Sequence, residues 1–184
     1  MTAIDHLLSN YSRQVRLPWS VNISGKQRVW FAVYPPAGER RLRARLPQFE
    51  TVTLAANHGW ATVDLTRLVP EFLAAHQYRE KVFQQPQHLR VGSALEKRAA
   101  ALVTEVCSGE KAAGTVVAVI GLASLFDFMR VSSLIEAVED GISGRLLVFF
   151  PGEYAGNVYR FMDARDGFNY MAVPITSTES FINP

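Results

Sequence analysis

The chain has 184 residues, 48% of them hydrophobic, and a formal net charge of +2. That length suits one domain with a sizeable core. The single cysteine, Cys107, excludes an intramolecular disulfide, and no stretch reaches the ~18 consecutive apolar residues of a membrane span. No basic region followed by an apolar h-region opens the chain, so a signal peptide is not expected and the expected location is cytoplasmic.

Thr2-Ala3-Ile4-Asp5 has the form of a capping box with Asp in place of Glu. Ile4, Leu7, Leu8 and Tyr11 then mark one face of a short helix, which Leu17-Pro18-Trp19 breaks. A first strand is predicted over 29–33. It stops at Tyr34-Pro35-Pro36, because proline cannot continue a ladder and restricts the residue before it. Residues 40–45 read as helix, with Leu42 and Leu46 inward. Pro47 suits the first turn of another helix that carries Phe49, Val52 and Leu54 and ends at Asn57-His58-Gly59. A second strand is predicted over 61–65, with Trp60 leading into it.

Thr66 or Asp64 can cap the next helix, whose apolar side is Leu68, Val69, Phe72 and Leu73. After Pro86 a longer helix is predicted over 87–106, with Leu89, Leu95, Ala99, Leu102, Val103 and Val106 inward. Cys107 follows directly and reads as a small core residue, not a nucleophile.

Residues 115–157 organise the rest. The β-branched run 115–120 lacks alternation, as expected of a strand buried on both faces. Gly121 ends it and Ser124 is placed to cap a helix through Leu125, Phe128, Met129, Leu134, Ile135 and Val138. Leu146 begins a second buried run that Pro151-Gly152-Glu153-Tyr154 is expected to terminate, and the chain then turns through Gly156-Asn157. A short ambiguous piece covers 158–163. A final strand is predicted over 170–175, with Pro174 marking its end as an edge or a terminus, and the tail after Thr176 reads as loose. The fold class is α/β: one mostly parallel sheet of about five strands flanked by helices, Rossmann-like or degenerate P-loop-like. Residues 1–27 form an N-terminal helix and linker, 28–176 the α/β domain, and 177–184 the tail.

Motifs for chemistry are scarce. Gly121-Leu122-Ala123-Ser124 follows a strand but has no lysine and too few glycines to cradle phosphates. His6, His58, His76 and His88 lie far apart, so no metal site and no cofactor are expected. Asp127 and Glu153 reach one sheet edge and could do acid–base work; Glu153 could equally cap a following turn. Between positions 13 and 46, eight arginines and lysines face only Glu39, which gives +7 there and −5 elsewhere. Arg40, Arg41, Arg43 and Arg45 within it are the candidate nucleic-acid contacts, the alternative being a solvated helix face. The strand-end turns Tyr34-Pro35-Pro36 and Pro151-Gly152-Glu153-Tyr154, with Arg160 beyond, suit a protein-binding patch rich in Tyr, Arg and rigid proline, or else rings packed down on the sheet edge.

An early strand ending in Tyr34-Pro35-Pro36, a middle segment with Gly121, Phe126 or Phe128, Arg130 and Leu134, and a late run Phe149-Phe150-Pro151-Gly152-Glu153-Tyr154 followed by Gly156 together resemble the BrxB family. These are small proteins encoded in BREX bacteriophage-resistance loci. The likeness runs from about Arg28 to Val173, and His58-Gly59-Trp60 and Asp64-Leu65-Thr66 share it. The resemblance implies a role in phage defence and supplies no catalytic residues to carry over. It implies a non-enzymatic adaptor whose expected partner is the large PglZ-like, phosphatase-related BREX protein, with other BREX components as further partners. The expected partner-binding residues are Tyr34, Pro35, Pro36, Arg130, Pro151, Gly152, Glu153, Tyr154 and Arg160.

Overall fold

The computed structural model describes residues 1–85, 92–164 and 167–178. In chain order its elements are α1 (Ala3–Val15), β1 (Val29–Tyr34), α2 (Glu39–Ala55), β2 (Gly59–Asp64), α3 (Leu68–Ala74), α4 (Arg79–Gln84), α5 (Gly92–Cys107), β3 (Thr115–Ile120), α6 (Val131–Val138), β4 (Arg145–Ala155), β5 (Val158–Phe161) and β6 (Val173–Thr176). The strands form one sheet in the order β2-β3-β4-β1-β6, parallel throughout, and β5 pairs antiparallel with the far end of β4.

Successive side chains of a strand point to opposite faces, and here both faces are covered. Trp30, Ala32, Val116, Ala118, Leu147 and Phe149 pack under α1 and α2, against Ile4, Leu7, Tyr11, Leu42 and Phe49. Phe31, Val33, Val117, Val119, Val148 and Phe150 pack under α3, α5 and α6, against Leu68, Leu95, Val103, Leu134 and Ile135. Hence β1, β3 and the first part of β4 read as unbroken apolar runs instead of alternating ones. The capping box at Thr2 and Asp5 forms as expected. The buried Tyr11 hydroxyl and Thr53 Oγ1 share a 2.5 Å hydrogen bond that ties α1 to α2.

Four expectations are corrected. The helices expected on either side of Pro47 are one helix, α2. Pro47 lies on the exposed side of the helix, while Leu42, Phe49 and Thr53 hold one continuous buried stripe that carries α2 past it. Ser124 does not cap a helix. Residues Leu122–Leu125 make a tight 3-10 turn, Ser124 Oγ donates to the carbonyls of Gly121 (2.7 Å) and Leu65 (3.0 Å), and α6 starts only at Val131. Neither Thr66 nor Asp64 caps α3. Arg67 holds that position, and Asp64 instead accepts from Thr66 in the turn before it.

Finally, Pro151 does not end β4. It lies opposite Tyr34 at the last rung with β1, and β4 continues as a hairpin whose turn, Gly156-Asn157, has φ of 56° and 63°. The last strand runs from Val173 and is an edge, with Pro174 inside it, as the proline signalled. Residues 87–91 of the helix predicted over 87–106, and the tail beyond Thr178, lie outside the described residues.

The end of the sheet where β1 to β4 begin is closed by a stack of planar groups. The His58 imidazole lies parallel to the Trp19 ring at 3.7 Å, and the Arg145 guanidinium sits over Trp19 at 4.7 Å. Arg145 is buried, and its hydrogen bonds go to the carbonyls of Gly144 and Ser20. Burial lowers the His58 pKa below its ordinary 6.5. The carbonyls of Gly114 and Val15 oppose that shift and the Arg145 charge reinforces it.

The unfolded chain therefore binds the His58 proton more tightly than the folded one. This contribution to stability is complete above pH 6.5 and is lost as pH falls below it. Between about pH 7 and pH 5 the wild type should lose stability to urea, whereas His58→Phe, which keeps the ring stack, should show a flatter profile. Parallel profiles for the two proteins would refute the assignment.

Candidate partner-binding face

The two strand-end turns singled out in the sequence meet at one edge, because β1 and β4 are parallel and Tyr34 lies opposite Pro151. Their exposure differs. Tyr34 is 2% exposed, and its hydroxyl donates to Glu39. Burial and the Glu39 carboxylate keep the phenol protonated far above its ordinary range. From there a polar chain follows α2 across to β2. Arg43 Nε donates to Glu39 at 2.8 Å and Arg43 Nη2 to Thr66 Oγ1 at 2.7 Å, and Nη1 lies 3.5 Å from Asp64. Burial pulls the Asp64 carboxyl upward, but the hydrogen bonds from Thr66 and the nearby Arg43 outweigh it and hold the pKa below the usual carboxylate value.

The hairpin of β4 and β5 has one face turned inward and one outward. Tyr159 and Phe161 are buried with Phe31, Phe150 and Phe168; Phe31 and Tyr159 have ring centroids 4.6 Å apart. The Tyr159 hydroxyl donates to the Ala172 carbonyl at 3.1 Å. Tyr154 packs on Tyr159 and donates to Asn157 Oδ1 at 2.9 Å, so it is half-buried. The outward face consists of Glu153, Ala155, Val158 and Arg160. Glu153 and Arg160 are cross-strand neighbours 3.9 Å apart, both largely in solvent. Glu153 thus sits inside a strand and caps no turn. Pro151 and Gly152 are buried.

Arg130 stands apart from these residues. It precedes α6, is exposed, and lines a groove of about 530 Å³ with Asp127, Phe126, Phe128, Phe161 and Phe168. Sequence reading placed Phe126 and Phe128 on a helix. They belong instead to a turn in which Asp127 takes φ 66°, which is why the groove went unseen. Pro35, Arg40 and Arg41 line another depression, between α1 and α2. The four candidate arginines divide: Arg40 and Arg41 are exposed, whereas Arg43 is taken up by Glu39 and Asp64, and Arg45 by Asp5 at 3.1 Å and Gln48 at 2.9 Å.

The candidates for chemistry are placed as follows. The loop 121–124 is filled: a Cβ on Gly121, whose φ is 81°, would lie 2.5 Å from the Thr66 nitrogen. Cys107 is buried, and burial pushes its thiol up to about 12. Among the described residues no three His, Cys, Asp or Glu side chains gather as metal ligands, and no helix is long and apolar enough to cross a membrane.

Against known proteins, the family model described as BREX protein BrxB matches residues 61–175. Its span runs from within β2 into β6 and takes in the Arg130 groove and the hairpin, but not Tyr34-Pro35-Pro36 or the basic segment. No curated protein and no solved structure matches the chain.

The hairpin demands a glycine at position 152, where a Cβ would come within 2.1 Å of the Arg160 carbonyl oxygen and 2.9 Å of the Phe150 ring. Gly152→Ala should therefore cost about 2 kcal/mol or more in urea unfolding. Arg160→Ala, on the outward face, should stay within roughly 0.5 kcal/mol of wild type.

Proposed function

The chain belongs to the BrxB family of BREX proteins, and on that premise we propose that it is a non-catalytic adaptor of the phage-defence machinery, docking onto the PglZ-like component. The observation that supports this most is the hairpin. In open α/β sheets ligands gather outside the carboxyl ends of the strands. Here the central strand β4 runs on through that region and fills it with its own return strand. What faces outward is a small surface with the Glu153–Arg160 pair on one rung and Ala155 and Val158 on the next same-face rung, Val158 being 38% exposed. Small apolar side chains beside a charged pair are compatible with a protein contact. This surface lies inside the family-matched segment.

The arrangement of the polar groups agrees with that reading. Tyr34, Glu39, Arg43, Asp64 and Thr66 spend their hydrogen bonds on one another. Each is engaged in holding α2 against the strand ends instead of standing ready for a substrate. Of the four candidate nucleic-acid arginines, Arg43 and Arg45 are engaged with carboxylates, which leaves Arg40 and Arg41, two positive charges on one helical turn, to meet phosphate.

The test is co-expression of the tagged protein with the PglZ-like component of its own locus. Wild type should purify as a stoichiometric complex. Reversing the outward charges with Glu153→Arg and Arg160→Glu should weaken association about tenfold or more while thermal unfolding stays near wild type. A wild-type chain that purifies alone would overturn the adaptor role. A complex indifferent to both reversals would overturn this face.

A further inference from the structure

The two edges of the sheet are unlike. β6 closes one edge with four residues and carries Pro174 in its middle. A short edge strand with a proline offers an incomplete ladder to any newcomer, a common protection against unwanted pairing. β2 forms the other edge and has none of these devices. It runs six residues in unbroken register with β3, from Gly59 opposite Thr115 to Asp64 opposite Ile120, with no proline and no bulge.

Its outward hydrogen-bonding groups can be identified. The Gly59 N–H donates to the Gly114 carbonyl and the Leu65 N–H to the Ile120 carbonyl, both at 2.9 Å. With a period of two, Ala61 and Val63 face β3 as well. Trp60, Thr62 and Asp64 therefore turn their N–H and C=O groups away from the sheet. Among the described residues nothing pairs with these three N–H groups. Thr62 and Asp64 are exposed, and Trp60 and Ala61 half-exposed, whereas β1 is buried along its whole length.

We infer that β2 is the seam of a two-fold dimer, in which β2 of a second copy of this chain adds antiparallel to it and joins the two sheets into one. The strand is suited to its own copy. A two-fold axis at Thr62 sets Thr62 opposite the partner's Thr62 and Trp60 opposite the partner's Asp64. Each of these pairs can exchange both backbone bonds, and the contact is isologous, so it consumes the β2 edge of both copies and leaves only the β6 edges. Threonines facing each other across strands are favourable neighbours. Charge does not oppose the approach: Asp64, the charged residue of β2, is held by Arg43 at 3.5 Å, and Arg67 beyond it pairs with Glu71 at 3.1 Å. The seam is separate from the hairpin, which extends the third strand of the sheet order.

The experiment is sedimentation across a concentration series, with amide hydrogen exchange on the same samples. Dimer mass should rise with concentration, and the amides of Trp60, Thr62 and Asp64 should gain protection in step with it. Thr62→Lys places like charges against each other on the axis and should shift the dimer toward monomer several-fold. Thr62→Pro removes an N–H that no intrachain bond uses and should abolish the dimer. The lysine variant, with its side chain in solvent, decides the matter should the proline variant not fold. A wild type that stays monomeric, or a dimer that Thr62→Lys leaves unchanged, would overturn the proposal. So would protection of these amides that arises only on adding another BREX component, which would make β2 a docking edge for a different protein.

Discussion

A strand buried on both faces has no water to fall back on, so each N–H and C=O of β4 must find its partner in a neighbouring strand. The topology answers that demand in relays. β4 pairs with β3 from Arg145 to Val148, with β1 from Leu146 to Pro151, and with β5 from Gly152 to Ala155. Pro151 sits at the changeover between β1 and β5, and its carbonyl accepts from the Met162 N–H at 2.8 Å. The hairpin is thus the solution to a bonding problem in the sheet, and the outward surface it carries comes with that solution.

How much of this was legible in the sequence depends on whether a residue's local preference and its tertiary setting agree. They agree for β3, where an unbroken β-branched run is a central strand from Thr115 to Ile120. They agree for Thr2 and Asp5, and at the end of α2, where of the two candidates Asn57 and Gly59 it is Asn57 that takes the left-handed conformation. They part at three residues read as punctuation. Pro47 is tolerated inside α2 because it lies on the solvent side. Ser124 spends its hydroxyl on two carbonyls of neighbouring turns. Pro151 is accommodated by the strand relay. Of the residues expected to bind a partner, the two turns do meet, but burial takes Tyr34, Pro151 and Gly152 out of contact with solvent, which pattern alone does not reveal.

The basic segment shows how charge counting overstates a surface. Its arginines look alike in sequence but have different roles. Arg28, together with Arg145 from β4, fastens loops where the strands begin, bonding carbonyls of residues 20, 21 and 142–144. Arg43 and Arg45 fasten helices where the strands end, and bond carboxylates. A planar guanidinium with several fixed donors serves both purposes, tying loop carbonyls together at one end and neutralising acids at the other. Arg13, Arg16, Arg40 and Arg41 are the arginines of the segment that remain exposed to solvent.

The tryptophans are confined to one layer, and this has an optical consequence. Trp19, Trp30 and Trp60, the chain's three tryptophans, all belong to the core beneath α1 and α2. Tyr154, Tyr159 and Tyr170 belong to the opposite layer and its hairpin. Tryptophan emission is therefore a reporter of one half of the molecule and is blind to the other. Excited at the red edge, the protein signals loosening of the α1–α2 layer alone, so any early opening of the hairpin layer would pass in the dark until the sheet itself gives way.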